Sequence, residues 1–232
     1  MAPLSEALVI FSRFDSSRLP GKALMDVAGR SLLGRCIDRA RRVSGNPPII
    51  VATSGRPVDD AIAHFAESQG VAVFRGDADD VAGRALACAE RFGLVRFARI
   101  CGDSPFLCPE IIGGLLEIHR TGLCDVACNV LTRSFPAGLS VEIIATEAMR
   151  QACREGDAED HEHVTRFFYR NLERFRIFSL AAADPQDMRA VSLALDTPDD
   201  LIRLSRIAQS LGSTAAEASL TAILDLARST PP

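Results

Sequence analysis

Four short apolar runs, at residues 7–12, 49–53, 71–74 and 97–101, recur through the first half of the chain at the length of buried strands. Between them, residues 31–43, 57–69 and 79–92 carry apolar side chains three and four positions apart, the spacing of a helix with one covered face. Ser31 is placed to open the first of these helices. Pro57 sits at a first-turn position of the second, with Asp59 and Asp60 beside it. Strand–helix–strand alternation predicts an α/β fold with a mostly parallel sheet flanked by helices. Such sheets bind their ligands beyond the carboxyl ends of the strands, so the loops that follow the strands are the ones to search for chemistry.

After about residue 129 the rhythm changes. The pattern predicts strands at 139–145, 176–180 and 191–195, a short helix at 147–154, and a helix at 161–171 with Val164, Phe167 and Phe168 on one face. Two further helices are expected at 198–211 and 215–227. The segment 130–180 reads as a small lobe that covers a site or makes a dimer contact. Nothing along the 232 residues reads as a linker or an internal repeat, so a single domain is expected.

Composition narrows the partners. Hydrophobic residues make up 47% and charged residues 24%, with a net charge of -4 and no block of like charge, which argues against nucleic acid and against an anionic membrane. The apolar run at 7–11 is too short for a signal-peptide core or a membrane span, so the chain is read as cytoplasmic. Seven scattered cysteines fit reduced thiols better than disulfides. Cys124 and Cys128 with His161 and His163 lack the paired spacing of a zinc site. One bias is informative: of 26 basic residues a single one, Lys22, is lysine. An ammonium and a guanidinium are not interchangeable, so the lone lysine marks its loop.

That loop, from Ser12 to Lys22, directly follows the first strand. Small residues let its backbone N–H groups approach a phosphate chain, and Arg13, Arg18 and Lys22 neutralise the charge, although the glycine spacing is not that of a Walker loop. A second constellation, Cys101-Gly102-Asp103-Ser104-Pro105, ends the fourth strand. A third is Leu195-Asp196-Thr197-Pro198-Asp199-Asp200. Here Thr197, Pro198 and Asp200 are accounted for as a helix start, which leaves Asp196 unassigned. Asp103 and Asp196 on strand ends would suit one Mg²⁺ shared with phosphate oxygens.

With these residues in place, the chain resembles the cytidylyltransferases that activate acidic sugars, the 3-deoxy-manno-octulosonate and acylneuraminate enzymes. It is most similar to the spore-coat-polysaccharide-biosynthesis-type branch. The resemblance runs through Ser16-Ser17-Arg18-Leu19-Pro20-Gly21-Lys22, Val51-Ala52-Thr53-Ser54, and Phe74-Arg75-Gly76-Asp77 with Asp80-Val81 and Gly83-Arg84. It continues through Gly102-Asp103-Ser104-Pro105, Glu162-His163-Val164-Thr165, Tyr169-Arg170-Asn171, and Asp196-Thr197-Pro198-Asp199-Asp200-Leu201. Seven motifs in order are a specific signal where each alone would be weak. The branch commonly reads Gly-Leu-Asp-Val-Glu where this chain has Gly138-Leu139-Ser140-Val141-Glu142, and Ser192 stands where an Arg is frequent.

The resemblance implies a Rossmann-like nucleotidyltransferase sheet and a Mg²⁺-dependent transfer of CMP from CTP to an acidic sugar, with pyrophosphate released, in a homodimer. It implies that Arg13, Ser17, Arg18 and Lys22 hold the triphosphate, with Lys22 and Arg18 acting in catalysis beside the metal ligands Asp103 and Asp196. Thr53, Ser54, Arg75 and Arg84 fall where base and ribose are contacted. Asn129, Arg133, Glu142, Glu162 and His163 are the candidates for the sugar. The alternatives are a related enzyme with another triphosphate or acceptor, a catalytically silent sugar-nucleotide binder, and a glycosyltransferase using Asp77-Ala78-Asp79 as its metal motif.

Overall fold

The computed structural model describes residues 5–16, 18–183, 188 and 191–230. Its strands are β1 (Glu6–Phe11), β2 (Ile49–Ser54), β3 (Ala72–Gly76), β4 (Arg96–Cys101), β5 (Val126–Cys128), β6 (Val141–Ala145) and β7 (Ile177–Ser179). The α-helices are α1 (Leu32–Ala40), α2 (Asp60–Ser68), α3 (Val81–Phe92), α4 (Pro109–Arg120), α5 (Thr146–Glu155), α6 (Ala158–Glu162), α7 (Arg166–Tyr169), α8 (Pro198–Leu211) and α9 (Leu220–Ser229). The strands form one seven-stranded sheet in the order β3-β2-β1-β4-β6-β5-β7, in which only β6 runs antiparallel to its neighbours.

Alternation along β1 explains the two cores. Leu8 and Ile10 face one side, where α1, α2, α4, α8 and α9 bring Leu32, Leu33, Ile37, Ile62, Ile112, Leu115, Leu204, Ile207 and Ile223. Ala7 and Val9 face the other, covered by Ala85, Cys88 and Ala89 of α3, Met149 of α5, and Phe167 and Phe168 of α7. Phe167 and Phe168 pack edge-on against Phe175, with ring centres 5.9 and 4.9 Å apart. Segment 130–180 thus supplies two strands to the main sheet and helices to one of its faces.

The strand order places a crevice. After β3 the chain crosses over β1 and lays β4 on its far side, so the loops leaving β1 and β4 diverge at the topological switch point. They remain close at their roots, where the Gly102 N–H donates to the Phe11 carbonyl at 2.9 Å. A Cβ on Gly102 would lie 2.8 Å from that carbonyl oxygen, so only glycine lets the loop carrying Asp103 press against the end of β1.

Four expectations are corrected. The helix expected at 161–171 is two short ones, α6 and α7, with His163 extended between them at φ -110° and ψ 87°. Buried Asp160 pairs with Arg166 at 2.7 Å and also with Arg170, and a straight helix would carry those positions away from it. The last helix begins at Leu220 rather than 215, because the carbonyls of Ala215 and Ala218 accept from buried Arg39 at 3.1 Å instead of from helical N–H groups. Residues 191–195 make only one isolated bridge, Ser192 to Ala137. Helix α4 and strand β5, both unanticipated, complete the region between β4 and β6.

Gly138 fixes how segments 137–140 and 192–194 meet. Its φ is +89°, and a Cβ there would fall 2.4 Å from the Leu193 carbonyl carbon. Gly138→Ala is expected to cost at least about 1–3 kcal/mol, combining backbone strain with a backbone collision. Thermal unfolding should show a Tm lower by at least about 2–4 °C; an unchanged Tm would mean that these segments move apart freely.

Candidate active site

Lys22 stands where the three constellations meet. Its ammonium donates to the Leu195 carbonyl at 2.7 Å and to Asp196 Oδ1 at 2.8 Å, and lies 3.5 Å from Asp103 Oδ2. Residues 22, 103 and 196 are therefore one cluster, further joined by the Leu195 N–H donating to the Asp103 carbonyl at 2.9 Å. Arg18, largely exposed, reaches Asp196 Oδ1 at 2.9 Å. The reason Asp196 is free for this role is local. Thr197 and Asp200 form both halves of a capping box at the start of α8, and Asp200 also accepts from the Asp196 N–H at 3.1 Å. Ser104 donates to Asp103 Oδ1 at 3.0 Å, which orients the second carboxylate.

The basic loop after β1 is closed on itself and tied at both ends. Gly21, at φ +75°, donates its N–H to the Phe14 carbonyl at 2.6 Å, and the Phe14 ring covers it. Phe14 N–H in turn donates to Asp59 Oδ1 at 2.6 Å. Arg13 donates to the Ala78 carbonyl at 2.8 Å. Ser17 lies outside the described residues.

The nucleotide candidates on β2, β3 and α3 are less available than the sequence suggests. Thr53 and Ser54 are both 0% exposed, because β2 is interior to the sheet and covered on both faces. The Thr53 hydroxyl has no protein partner, and that of Ser54 donates to Asp59 Oδ2. Arg84 is buried and donates to the Asp77 and Ala78 carbonyls, the second at 3.3 Å, so it holds a turn rather than facing open surface. Arg75 is exposed and pairs with Asp60 at 2.6 Å. Within that turn, Asp77 accepts the N–H groups of Asp79 and Asp80 at 2.8 Å each, a local role for the Asp77-Ala78-Asp79 motif.

A cavity of about 830 Å³ opens beyond Cys101 at the end of β4. Arg99, Arg133, Arg166, Arg170, His163, Ser140 and Tyr169 line it, together with Asn129 and Glu142. Asn129 is a clamp. Its buried amide donates to the Leu139 carbonyl at 2.8 Å and accepts from the Val141 N–H at 2.9 Å, so its side chain is engaged with backbone. Glu142, 2% exposed, lies opposite Arg99 in the ladder, pairs with it at 2.9 Å and accepts from the Tyr169 hydroxyl at 2.9 Å. Burial, and then the Glu142 charge, raise the Tyr169 pKa, which keeps the phenol a donor. Burial likewise pushes the Cys101 thiol up to about 11, so it is no nucleophile at neutral pH.

Glu162 departs from the other sugar candidates. It lines a separate cavity of about 530 Å³ with Arg13, Asp79, Asp80 and His161, because the break after α6 turns it away from His163. His161 lies there with Nδ1 2.7 Å from Asp80, and that contact raises its pKa. Among the described residues no group of three or more His, Cys, Asp or Glu is placed to hold a metal ion.

Sequence reading missed Asp59, Arg99 and Tyr169. Arg99 had a signal, a charge inside an apolar strand, and Tyr169 is the sole tyrosine. Asp59 was read only as a helix-start residue.

A mostly parallel sheet with a basic loop and two carboxylates at its switch point is the architecture of a nucleotide-using transferase. The cytidylyltransferase family model matches residues 7–217, and the chain belongs to that family; it is a nucleotidyltransferase. Among curated proteins it is similar to an uncharacterised protein of Methanocaldococcus jannaschii, 30% identical over 83% of this chain and 78% of that one. The spore coat polysaccharide biosynthesis protein SpsF of Bacillus subtilis is 27% identical over 88% and 86%. A 3-deoxy-manno-octulosonate cytidylyltransferase of Anaeromyxobacter dehalogenans is 34% identical over 66% of this chain and 60% of its own length. A solved cytidylyltransferase from Leptospira borgpetersenii superposes with a TM-score of 0.92 at 23% identity, covering 98% and 95% of the two chains. A CMP-2-keto-3-deoxy-manno-octonic acid synthetase solved with CTP gives 0.64 at 20% identity over 87% and 97%. At these identities the two structures establish the fold.

The Arg99–Glu142 pair yields a test. Arg99→Met leaves a buried carboxylate with only the Tyr169 hydroxyl and should destabilise the fold by about 3–5 kcal/mol. Adding Glu142→Gln should recover much of the loss in denaturant unfolding. Additive losses would show that the two side chains do not depend on each other.

Proposed function

We propose that the protein transfers CMP from CTP to an acidic sugar, in a Mg²⁺-dependent reaction that releases pyrophosphate. The observation that carries this reading is the convergence of Asp103 and Asp196 on the Lys22 ammonium, beside a closed basic loop at the switch point. The pair suits a hard divalent ion on two counts. Its donors are carboxylate oxygens, and both already face a cation, the Lys22 ammonium. Asp103 and Asp196 would hold the ion; when bound, it supplies charge neutralisation at an α-phosphate oxygen and acidifies the acceptor hydroxyl.

The chain's own groups take the remaining roles. Arg13, Arg18 and Lys22 bind the triphosphate, and Lys22 and Arg18 stabilise charge on the transferred group. The acceptor oxygen bonds to the α-phosphorus, the bond from that phosphorus to the oxygen bridging the β-phosphate breaks, and pyrophosphate leaves with the electron pair. The hydroxyl proton passes to solvent. Positioning and charge neutralisation suffice for such a step. For the acceptor, the cavity beyond Cys101 offers Arg133 with His163, while Arg99 and Glu142 neutralise each other, so the charge left over favours an anion. Ser140 lies in this cavity and Ser192 bridges Ala137 at its wall, so both departures from the branch pattern fall on the acceptor side. The reading extends to a cytoplasmic homodimer in which segment 130–180 covers the site or joins the copies. Among the described residues no helix is long and apolar enough to cross a membrane.

A pyrophosphate-release screen of nonulosonic and octulosonic acids against CTP, GTP, UTP and ATP, with and without Mg²⁺, tests the reading. CTP with one acid and Mg²⁺ should give turnover. Asp103→Ala and Asp196→Ala should abolish it, and Lys22→Arg, which keeps charge and changes shape, should lose about 10²–10³-fold with the fold intact. Near-normal release by both Asp variants would remove those carboxylates from the metal role.

A further inference from the structure

We infer that Asp59 is a positioning residue for triphosphate binding: it hangs the phosphate loop on the end of β2. The inference rests on the reading of residues 12–22 as the triphosphate site, and it assigns a role to a residue that would not touch the nucleotide.

Asp59 is 0% exposed, although it lies in a one-turn 3-10 helix (Pro57–Asp59) at the edge of the site. A carboxylate is seldom fully buried without strong partners. Its nearest cation, Arg56, is 4.0 Å away and is itself turned to Asp15 at 2.5 Å. What holds the Asp59 carboxylate instead is a pair of donors, one from the loop after β1 and one from the last residue of β2. Oδ1 accepts the Phe14 N–H at 2.6 Å, and Oδ2 accepts the Ser54 hydroxyl. One buried group therefore bridges the loop after β1 and the carboxyl end of β2, and its bond to Phe14 spans 45 positions of the sequence.

Phe14 is the point at which that bridge governs the loop. Its carbonyl accepts the Gly21 N–H at 2.6 Å, closing residues 14–21 into a ring, and its own N–H fixes the ring to Asp59. Lys22 follows directly on the ring's closure at Gly21 and is fixed to Asp103 and Asp196. The loop is thus suspended between two carboxylate anchors, one at each end. If Asp59 is lost, the Phe14 N–H loses its acceptor, and Arg13 and Arg18 lose the frame that sets their spacing relative to Lys22. Preorganisation of cationic groups on a loop sets their affinity for a polyanion, so the deficit should appear in triphosphate binding and not in acceptor binding.

The test is calorimetric titration of CTP with Mg²⁺, and separately of inorganic tripolyphosphate, into wild type, Asp59→Ala and Asp59→Asn, with KM measured for CTP and for the acceptor. Asp59→Ala should bind both probes about tenfold or more weakly, the scale of a hydrogen bond to a charged group, with acceptor KM within about twofold of wild type. Asp59→Asn keeps an oxygen for the Phe14 N–H and an amide for the Ser54 oxygen, and should stay within about threefold of wild type. A folded Asp59→Ala protein that binds both probes like wild type overturns the inference. If Asp59→Ala does not fold, Asp59→Asn decides: equal losses for CTP and acceptor would show a merely structural role. Wild type that binds tripolyphosphate but not CTP would sink the nucleotide assignment and leave this inference standing. Wild type that binds neither would sink both.

Discussion

A single ammonium holds the site together. The Lys22 nitrogen has three oxygen neighbours, two of them supplied by Leu195 and Asp196, more than 170 positions along the chain. A buried-edge carboxylate pair without a counter-charge would be repelled apart, and a lysine without carboxylates would lose its hydration for nothing in return. Each makes the other tolerable in the crevice. A guanidinium, planar and larger, would present a fork where a compact three-donor point charge is needed. The chain's one lysine, against 25 arginines, thus stands where these three oxygens converge.

The fold exists to bring this about at low strain. Parallel pairing of β1 with β4 sets Phe11 beside Cys101, so the loops that leave them start at the same rim. Gly102 lets the second loop close on the first. From α1, the Cys36 thiol lies 3.3 Å from the Ser104 carbonyl, and buried Arg39 donates to the Leu107 carbonyl at 2.5 Å, so the loop bearing Asp103 is supported from beneath. Arg39 also takes carbonyls of the segment before α9, which joins the C-terminal helices to the same support. The last strand-like segment, 191–195, needs only one bridge because Lys22 and the Asp103 carbonyl anchor its end.

Much of this was legible in the sequence, and the failures have physical causes. The four strands and the helices between them carried a clear pattern, although β3, expected to be buried, is an edge strand with no buried residue, and the capping box at Thr197 and Asp200 separated the helix start from Asp196. Helix α4 went unread because Pro109, Gly113 and Gly114 dilute its signal. Strand β5, three residues long, is too short for any period to show. The split between α6 and α7 depends on Asp160 drawing two arginines across a break, a tertiary effect with no local trace. Lys22, Asp103 and Asp196, singled out by residue type and position, are brought together in one cluster, but burial was invisible. Thr53, Ser54 and Asn129 are polar but turned into the protein, whereas Asp59 was explained as a helix start and Arg99 was passed over inside an apolar run.

The most direct test is a crystal structure of the protein grown with CTP and Mg²⁺. The triphosphate should lie along residues 13–22, with a metal ion contacting both Asp103 and Asp196. A triphosphate seated instead in the cavity lined by Arg99 and Arg133, with Lys22 still bridging the two carboxylates, would contradict the account.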